Sequence, residues 1–285
     1  MKKLAVVFSV LVVALGMFAA DEPKPAPKKY KQADMTRPRP VMVTPGTNGS
    51  MPSDAISLFD GKDLAAWKRT GKLKEGEEDK PKWTIGDGYF EVAKGTGAIQ
   101  SRDTFGDVQV HLEWATPKEV KGNGQGRGNS GFFLGGFGEV QILDSIDNDT
   151  YPDGQAAALY RRSPPLVNAS RQPGEWQTYD IIAHLPKVDD TGKVTKPGII
   201  TVLHNGVVVH HAAEFNNKIT PYSFQLQDHG NPIRFRNVWV RKLKGYDEGP
   251  PVELKKPEKK PEEKKPEEKK PEEKKPAEVK PEEKK

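Results

Sequence analysis

The chain has 285 residues, 34% hydrophobic and 30% charged, and 14 of its 25 prolines fall in 21–53 and 251–285, which leaves one packed domain of about 200 residues between them. With no cysteine, a disulfide framework, a thiolate nucleophile, a Cys-ligated metal site and a lipoprotein anchor through an N-terminal Cys are all excluded. The net charge of +5 resides in the ends, since 1–20, 21–53 and 251–285 carry +2, +3 and +2 and leave −2 for 54–250; that balance argues against nucleic acid as a partner.

From the N-terminus, Lys2-Lys3, the uncharged run 4–18 and Ala19-Ala20 before Asp21 have the basic, apolar and small-residue parts of a signal peptide over 1–20. Export is expected, to the periplasm, the medium or the cell envelope. A retained membrane anchor is the alternative, although the run is shorter than the ~20 residues of a bilayer span. Residues 21–53 are rich in proline and poor in apolar side chains, which predicts a disordered linker. At the other end, 247–285 carries a Lys-Lys-Pro-Glu-Glu repeat of period five. Proline in every repeat forbids a sustained helix and predicts a disordered tail, either a passive spacer or a weak contact for anionic envelope polymers.

Between these ends, 54–246 presents short runs rich in β-branched and aromatic residues, bounded by Gly, Asp, Asn and Pro. Val108, Val110, Leu112 and Trp114 alternate with Gln109, His111 and Glu113, the pattern of a strand with one face on a core and one open to solvent. Residues 200–203 and 207–209 flank Asn205-Gly206, which supplies the positive φ angles of a hairpin turn. No stretch repeats its apolar residues with helical period over three turns. The domain therefore reads as all-β, a two-sheet antiparallel jelly-roll sandwich. Residues 126–131 spell the dinucleotide fingerprint, but a strand-like run follows where that mechanism needs a helix N-terminus, so no nucleotide site is assigned. His210 and His211 are adjacent in a strand and point to opposite faces, so they cannot chelate one ion.

In chain order, SLFDGKDLAAW (57–67), WTIGDGYFEV (83–92), GNSGFFLGGFGEVQILDS (128–145), DGQAAALY (153–160), PPLVNASRQPGEWQTYDI (164–181), HNG (204–206) and LQDHGNPIRFRNVWVRKL (226–243) resemble the 3-keto-disaccharide hydrolase domain family. The resemblance covers essentially all of 54–245. It implies the concanavalin-A-like form of the sandwich, shared with lectins and glucanases, and cleavage of the glycosidic bonds of 3-keto-glycosides.

Strand alternation puts Glu139 and Gln141 on one face, and a one-residue bulge at Ile142 or Leu143 would bring Asp144 up beside them. The glucanases of the resembled fold carry three acids in this pattern, whereas the middle one is Gln141 here. Glu139 and Asp144, five positions apart on an extended strand, do not offer the ~5 to 5.5 Å carboxyl spacing of a retaining glycosidase. The reaction implied by the family asks for less. A ketone at C3 acidifies the C2 proton, so a single base can remove it, oxyanion donors can hold the enolate, and the C1 substituent leaves before water adds.

Glu139 is the first candidate base and His229 the second, with Asp144 beside them as a further catalytic candidate. Gln141, Arg127, Asn129, Gln227, Asp228 and Arg236 are candidate contacts to the sugar oxygens, and Tyr160 is placed to stack on a ring or protonate a leaving oxygen. Plainer readings stand beside these: Asn129-Ser130-Gly131 closing a turn, Asp228 and His229 ordering a loop, and Arg236 on a solvated face. Trp67, Trp83, Trp114, Trp176, Trp239, Tyr179 and Phe133 read as packing. No cofactor is called for, although Glu139, Asp144 and His229 could hold a divalent ion from three separate positions. Three functions stay open: an enzyme with a carbohydrate substrate, a non-catalytic carbohydrate-binding module, and an envelope protein whose tail is the functional part.

Overall fold

The computed structural model describes residues 30–246, apart from Lys74, and Glu248. The expectations for 1–20 and, Glu248 aside, for 247–285 lie outside the described residues. Residues 30–39 form turns in which the Asp34 carboxylate accepts from Thr36 N and Oγ1 at 2.9 and 2.6 Å. A separate compact unit runs from Pro40 to Gly249.

That unit is an antiparallel two-sheet sandwich. The larger sheet orders its strands β13 (Val207–Phe215), β12 (Gly198–His204), β9 (Gln177–His184), β6 (Val108–Ala115), β15 (Arg234–Lys242), β4 (Phe90–Glu91) and β3 (Thr84–Ile85), with β1 (Ile56–Phe59) also paired to β15. The smaller runs β2 (Trp67–Arg69), β5 (Ile99–Ser101), β14 (Phe224–Leu226), β7 (Ser130–Leu134) and β8 (Glu139–Ile142), and β10 (Lys187–Val188) and β11 (Val194–Lys196) form a separate ribbon. Period-two alternation turns Val108, Val110, Leu112, Tyr179, Ile181, Ile200 and Val202 of the larger sheet, and Ile99, Phe132, Val140, Phe224 and Leu226 of the smaller, into one buried layer. The Tyr179 hydroxyl crosses that layer and donates to the Gln141 carbonyl at 2.6 Å, so this polar tip is satisfied by the facing sheet. Trp67 and Trp83 are likewise buried, with their indole N–H groups on the carbonyls of Leu58 and Gly97.

The Asn205-Gly206 turn forms as read, with φ of 52° and 80° joining β12 to β13. A strand, β7, begins at Ser130 within the glycine-rich stretch 126–131, where the fingerprint would need a helix. His210 is buried with Nε2 on the Ala157 carbonyl and His211 is exposed, on opposite faces.

The polar face of β6 departs from its reading, because His111 and Glu113 are 3% and 8% exposed rather than open. A bulge in β15 sets Asn237 at φ 47°, and the Asn237 amide and Trp239 indole both donate to the Gly49 carbonyl, at 2.9 and 3.0 Å. Residues 40–53, which composition assigned to the linker, thus lie within the compact unit and lay a length of backbone over the outer face of the larger sheet.

Candidate active site

The outer face of the smaller sheet gathers several of the expected site residues. Across β7 and β8, Gly131 pairs with Gln141 and Phe133 with Glu139. On the other side of β7, Gln225 pairs with Phe133, and Gln227 N donates to the Gly131 carbonyl at 3.0 Å. Partners in register share a face, so Glu139, Gln141 and Gln227 surround Gly131, while Phe132, Val140 and Ile142 point into the core with no exposure.

Gly131 is needed there. A methyl group on it would stand 1.9 Å from Glu139 Oε1, so the carboxyl occupies the space that any side chain at 131 would take. Glu139 has no side-chain hydrogen bond or ion pair among the described residues, and burial alone pushes its pKa up to about 7. Gln227 Oε1, beside it across Gly131, is buried without a partner. Tyr160 arrives from the neighbouring loop, its backbone N–H on the Glu139 carbonyl at 3.0 Å. Leu159 bridges to Val140 and faces inward, so Tyr160 stands on the Glu139 side, its hydroxyl 2.5 Å from that of Tyr151. Burial, then the bond to Tyr160, raise the Tyr151 hydroxyl to about 12.

Gln141 is held rather than free. Its Nε2 donates to Gln125 Oε1 at 2.9 Å, and Gln125 in turn donates to Thr150 Oγ1 and the Gly154 carbonyl. Asn129 Nδ2 donates to the Gln125 carbonyl at 2.6 Å, which leaves Asn129 Oδ1 buried and unpartnered. Gln125 is therefore the residue that joins two of the expected contacts, and sequence reasoning passed over it; the signal was a lone amide inside a glycine-rich loop next to Asn129.

Asp144 does not join Glu139. The regular alternation does break where expected, since Ile142 and Leu143 are both fully buried. The turn, however, sends Asp144 to Arg127, whose Nε donates to Oδ2 at 2.8 Å. Arg127 is largely committed to structure: Nη1 and Nη2 bond the carbonyls of Asp147 and Ile146, so each nitrogen of its fork gives one N–H to Asp144 or to the loop that follows β8. Arg127, Asp144 and an exposed His229 line a hollow of about 550 Å³, with Lys94, Thr116 and Asn231. Glu139 and Gln141 are not in that lining, so the four-residue hollow expected from sequence is two neighbouring places. The Asp228 carboxylate accepts from the backbone N–H groups of Gly97 and Gly230, a loop-ordering role. Arg236 lies on the larger sheet, bonded to Glu113 at 2.6 Å and stacked over Trp176, away from the group. Phe133, expected as packing, is half-buried on the Glu139 face. Among the described residues no three His, Asp or Glu side chains are gathered to hold a metal ion, so the trio Glu139, Asp144 and His229 is not assembled.

Comparison with known proteins agrees with this fold. A crystal structure of a protein assigned as a glycosyl hydrolase, from Parabacteroides distasonis, superposes with a TM-score of 0.67 at 40% identity, covering 76% of this chain and 100% of the other. The 3-keto-disaccharide hydrolase of Bacteroides thetaiotaomicron is 26% identical over 249 residues, 68% of this chain and 81% of that one. The model of the 3-keto-alpha-glucoside-1,2-lyase-like domain matches residues 54–241, two sheets and Glu139 face included, and the chain belongs to that family.

Proposed function

We propose that this is an exported enzyme that cleaves 3-keto-glycosides at the Glu139 face. The observation that carries the reading is the unpartnered Glu139 carboxyl, buried over Gly131 and poised near neutral pH. Ionised, it takes the C2 proton of the 3-keto sugar; the electron pair moves to the C3 oxygen, then returns to form the C1–C2 double bond as the C1–O bond breaks. The leaving oxygen takes a proton from Tyr160, backed by Tyr151. Water then adds its oxygen to C1 and gives up a proton to Tyr160, while C2 recovers a proton from Glu139, so both groups return to their starting state and the sum is hydrolysis without change of oxidation state. The side-chain amide of Gln227 is positioned to contact the sugar's oxygens. The family description, a 1,2-lyase-like domain, and the B. thetaiotaomicron hydrolase support the same route, since elimination and hydration are its two halves.

The test is turnover in deuterated water. Release of free sugar from a 3-keto-disaccharide, none from its reduced parent, and deuterium at C2 of the product are expected. Release with no deuterium at C2 and no primary isotope effect from a substrate deuterated at C2 rules out proton abstraction, and saturable sugar binding with no release makes the domain a carbohydrate-binding module.

A further inference from the structure

The row that contains Glu139 is longer than a disaccharide requires. Register carries it straight across the sheet: Glu139 of β8 faces Phe133 of β7, Phe133 faces Gln225 of β14, Gln225 faces Gln100 of β5, and Gln100 faces Lys68 of β2. All five are half-buried, although an open sheet surface would leave glutamine and lysine exposed. Their strand neighbours Phe132, Leu134, Phe224, Leu226, Ile99 and Trp67 are buried, so the row stands on the packed core.

Four strand spacings of 4.7–4.9 Å make the row about 19 Å long, whereas a disaccharide covers about two spacings and ends near Gln225. The chemistry also changes along it. Next to the base lies an aromatic ring, then two amides that each offer a donor and an acceptor to neutral hydroxyls, then an ammonium group. Lys68 has no carboxylate partner among the described residues, while Arg69 beside it is paired with Glu77 on the opposite side of the strand. An unpaired, half-buried cation at the far end of the row from Glu139, with only the neutral Phe133, Gln225 and Gln100 between them, is complementary to an anion.

We infer that the substrate is an acidic oligosaccharide which lies from Glu139 along Phe133, Gln225 and Gln100 and places a carboxylate on Lys68. The inference rests on the Glu139 face being the sugar site, and its test reads binding rather than turnover. The full chain carrying Glu139→Gln is titrated calorimetrically with α- and β-linked gluco-oligosaccharides of two to five units, and with the same ladders ended in glucuronate. Affinity is expected to rise at least tenfold from two units to four, and the acid-ended tetramer to bind at least tenfold tighter than the neutral one. Lys68→Met should erase the acid preference and leave disaccharide affinity unchanged. A flat length dependence, no preference for the acid, or a Lys68→Met variant that weakens disaccharide and acidic tetramer alike overturns it. The two readings fail separately: a binding gradient in a protein that turns over no 3-keto-glycoside removes the reaction and keeps the row, and turnover without the gradient removes the row alone.

Discussion

At Glu139 one physical fact, desolvation without a compensating partner, has two opposite consequences. A carboxyl titrating near 7 is a far stronger base than one at its ordinary value, so kcat/KM is expected to rise with pH through about 7, and Glu139→Gln to lower turnover by roughly 10²–10⁴-fold with the fold intact. The same shift costs stability. The folded carboxyl keeps its proton from 4.5 up to about 7 where the unfolded one has lost it, so stability falls as pH rises through that window. Urea unfolding should show Glu139→Gln more stable than the wild type at pH 8 by on the order of 2 kcal/mol, with the gap closed at pH 4. Gly131→Ala separates positioning from folding: the methyl displaces only the far end of a flexible side chain, so stability should hold within about 1 kcal/mol while kcat drops at least tenfold. Alternation within β8 was enough to put Glu139 on one face with Gln141, away from the core. Its contact with Gly131 needs the register between two strands, which no single stretch of sequence contains.

At the scale of elements, the sheet face is shaped by two loops that hold each other. Asn148 accepts from Gly124 N and donates to the Gly124 and Asp144 carbonyls, Gln125 reaches Thr150 and Gly154, and Arg127 fills the turn 144–147. Arg127 and Asp144 have side chains only 12% and 4% exposed, so Arg127→Ala leaves a buried carboxylate without its cation and should cost about 3 kcal/mol in chemical denaturation. Arg127→Lys should recover little, because one ammonium cannot serve a carboxylate and two carbonyls set around a planar fork. These loops also mark the limit of legibility. β6 announced itself by alternation and the β12–β13 hairpin by its Asn-Gly turn, whereas the acceptors that claim Arg127 are main-chain carbonyls, which carry no side-chain signature. Arg127 therefore looked like a free donor. Phe133 was missed for a related reason: an aromatic residue inside an apolar run reads as core until the strand's two faces are assigned.

Across the whole unit the two sheets present unlike outer faces, one half-open and bearing Glu139, the other covered by residues 40–53 where it carries a charged cluster. Burial alone would depress His111, but the hydrogen bond to Asp180 and the Glu113 carboxylate 3.7 Å from Nε2 outweigh it and raise the imidazole to about 9. Glu113 is likewise opposed by burial, yet His111, Asn237 and Arg236 hold it down to about 2. The imidazolium is thus the form the fold selects, and its contribution is complete below 6.5 and is lost as pH rises through about 9. For the wild type, the urea midpoint should fall between pH 6 and pH 10 by an amount worth on the order of 2 kcal/mol, and His111→Gln should flatten that profile. Removing residues 40–53 strips the Asn237 amide and the Trp239 indole of their shared acceptor, Gly49, and should cost about 1–3 kcal/mol. Neither change touches the smaller sheet, so both variants should keep wild-type kcat/KM on a 3-keto-disaccharide at neutral pH. A matching loss of activity in either one would mean that the two faces are coupled through the core, and that the Glu139 site depends on how the opposite sheet is closed.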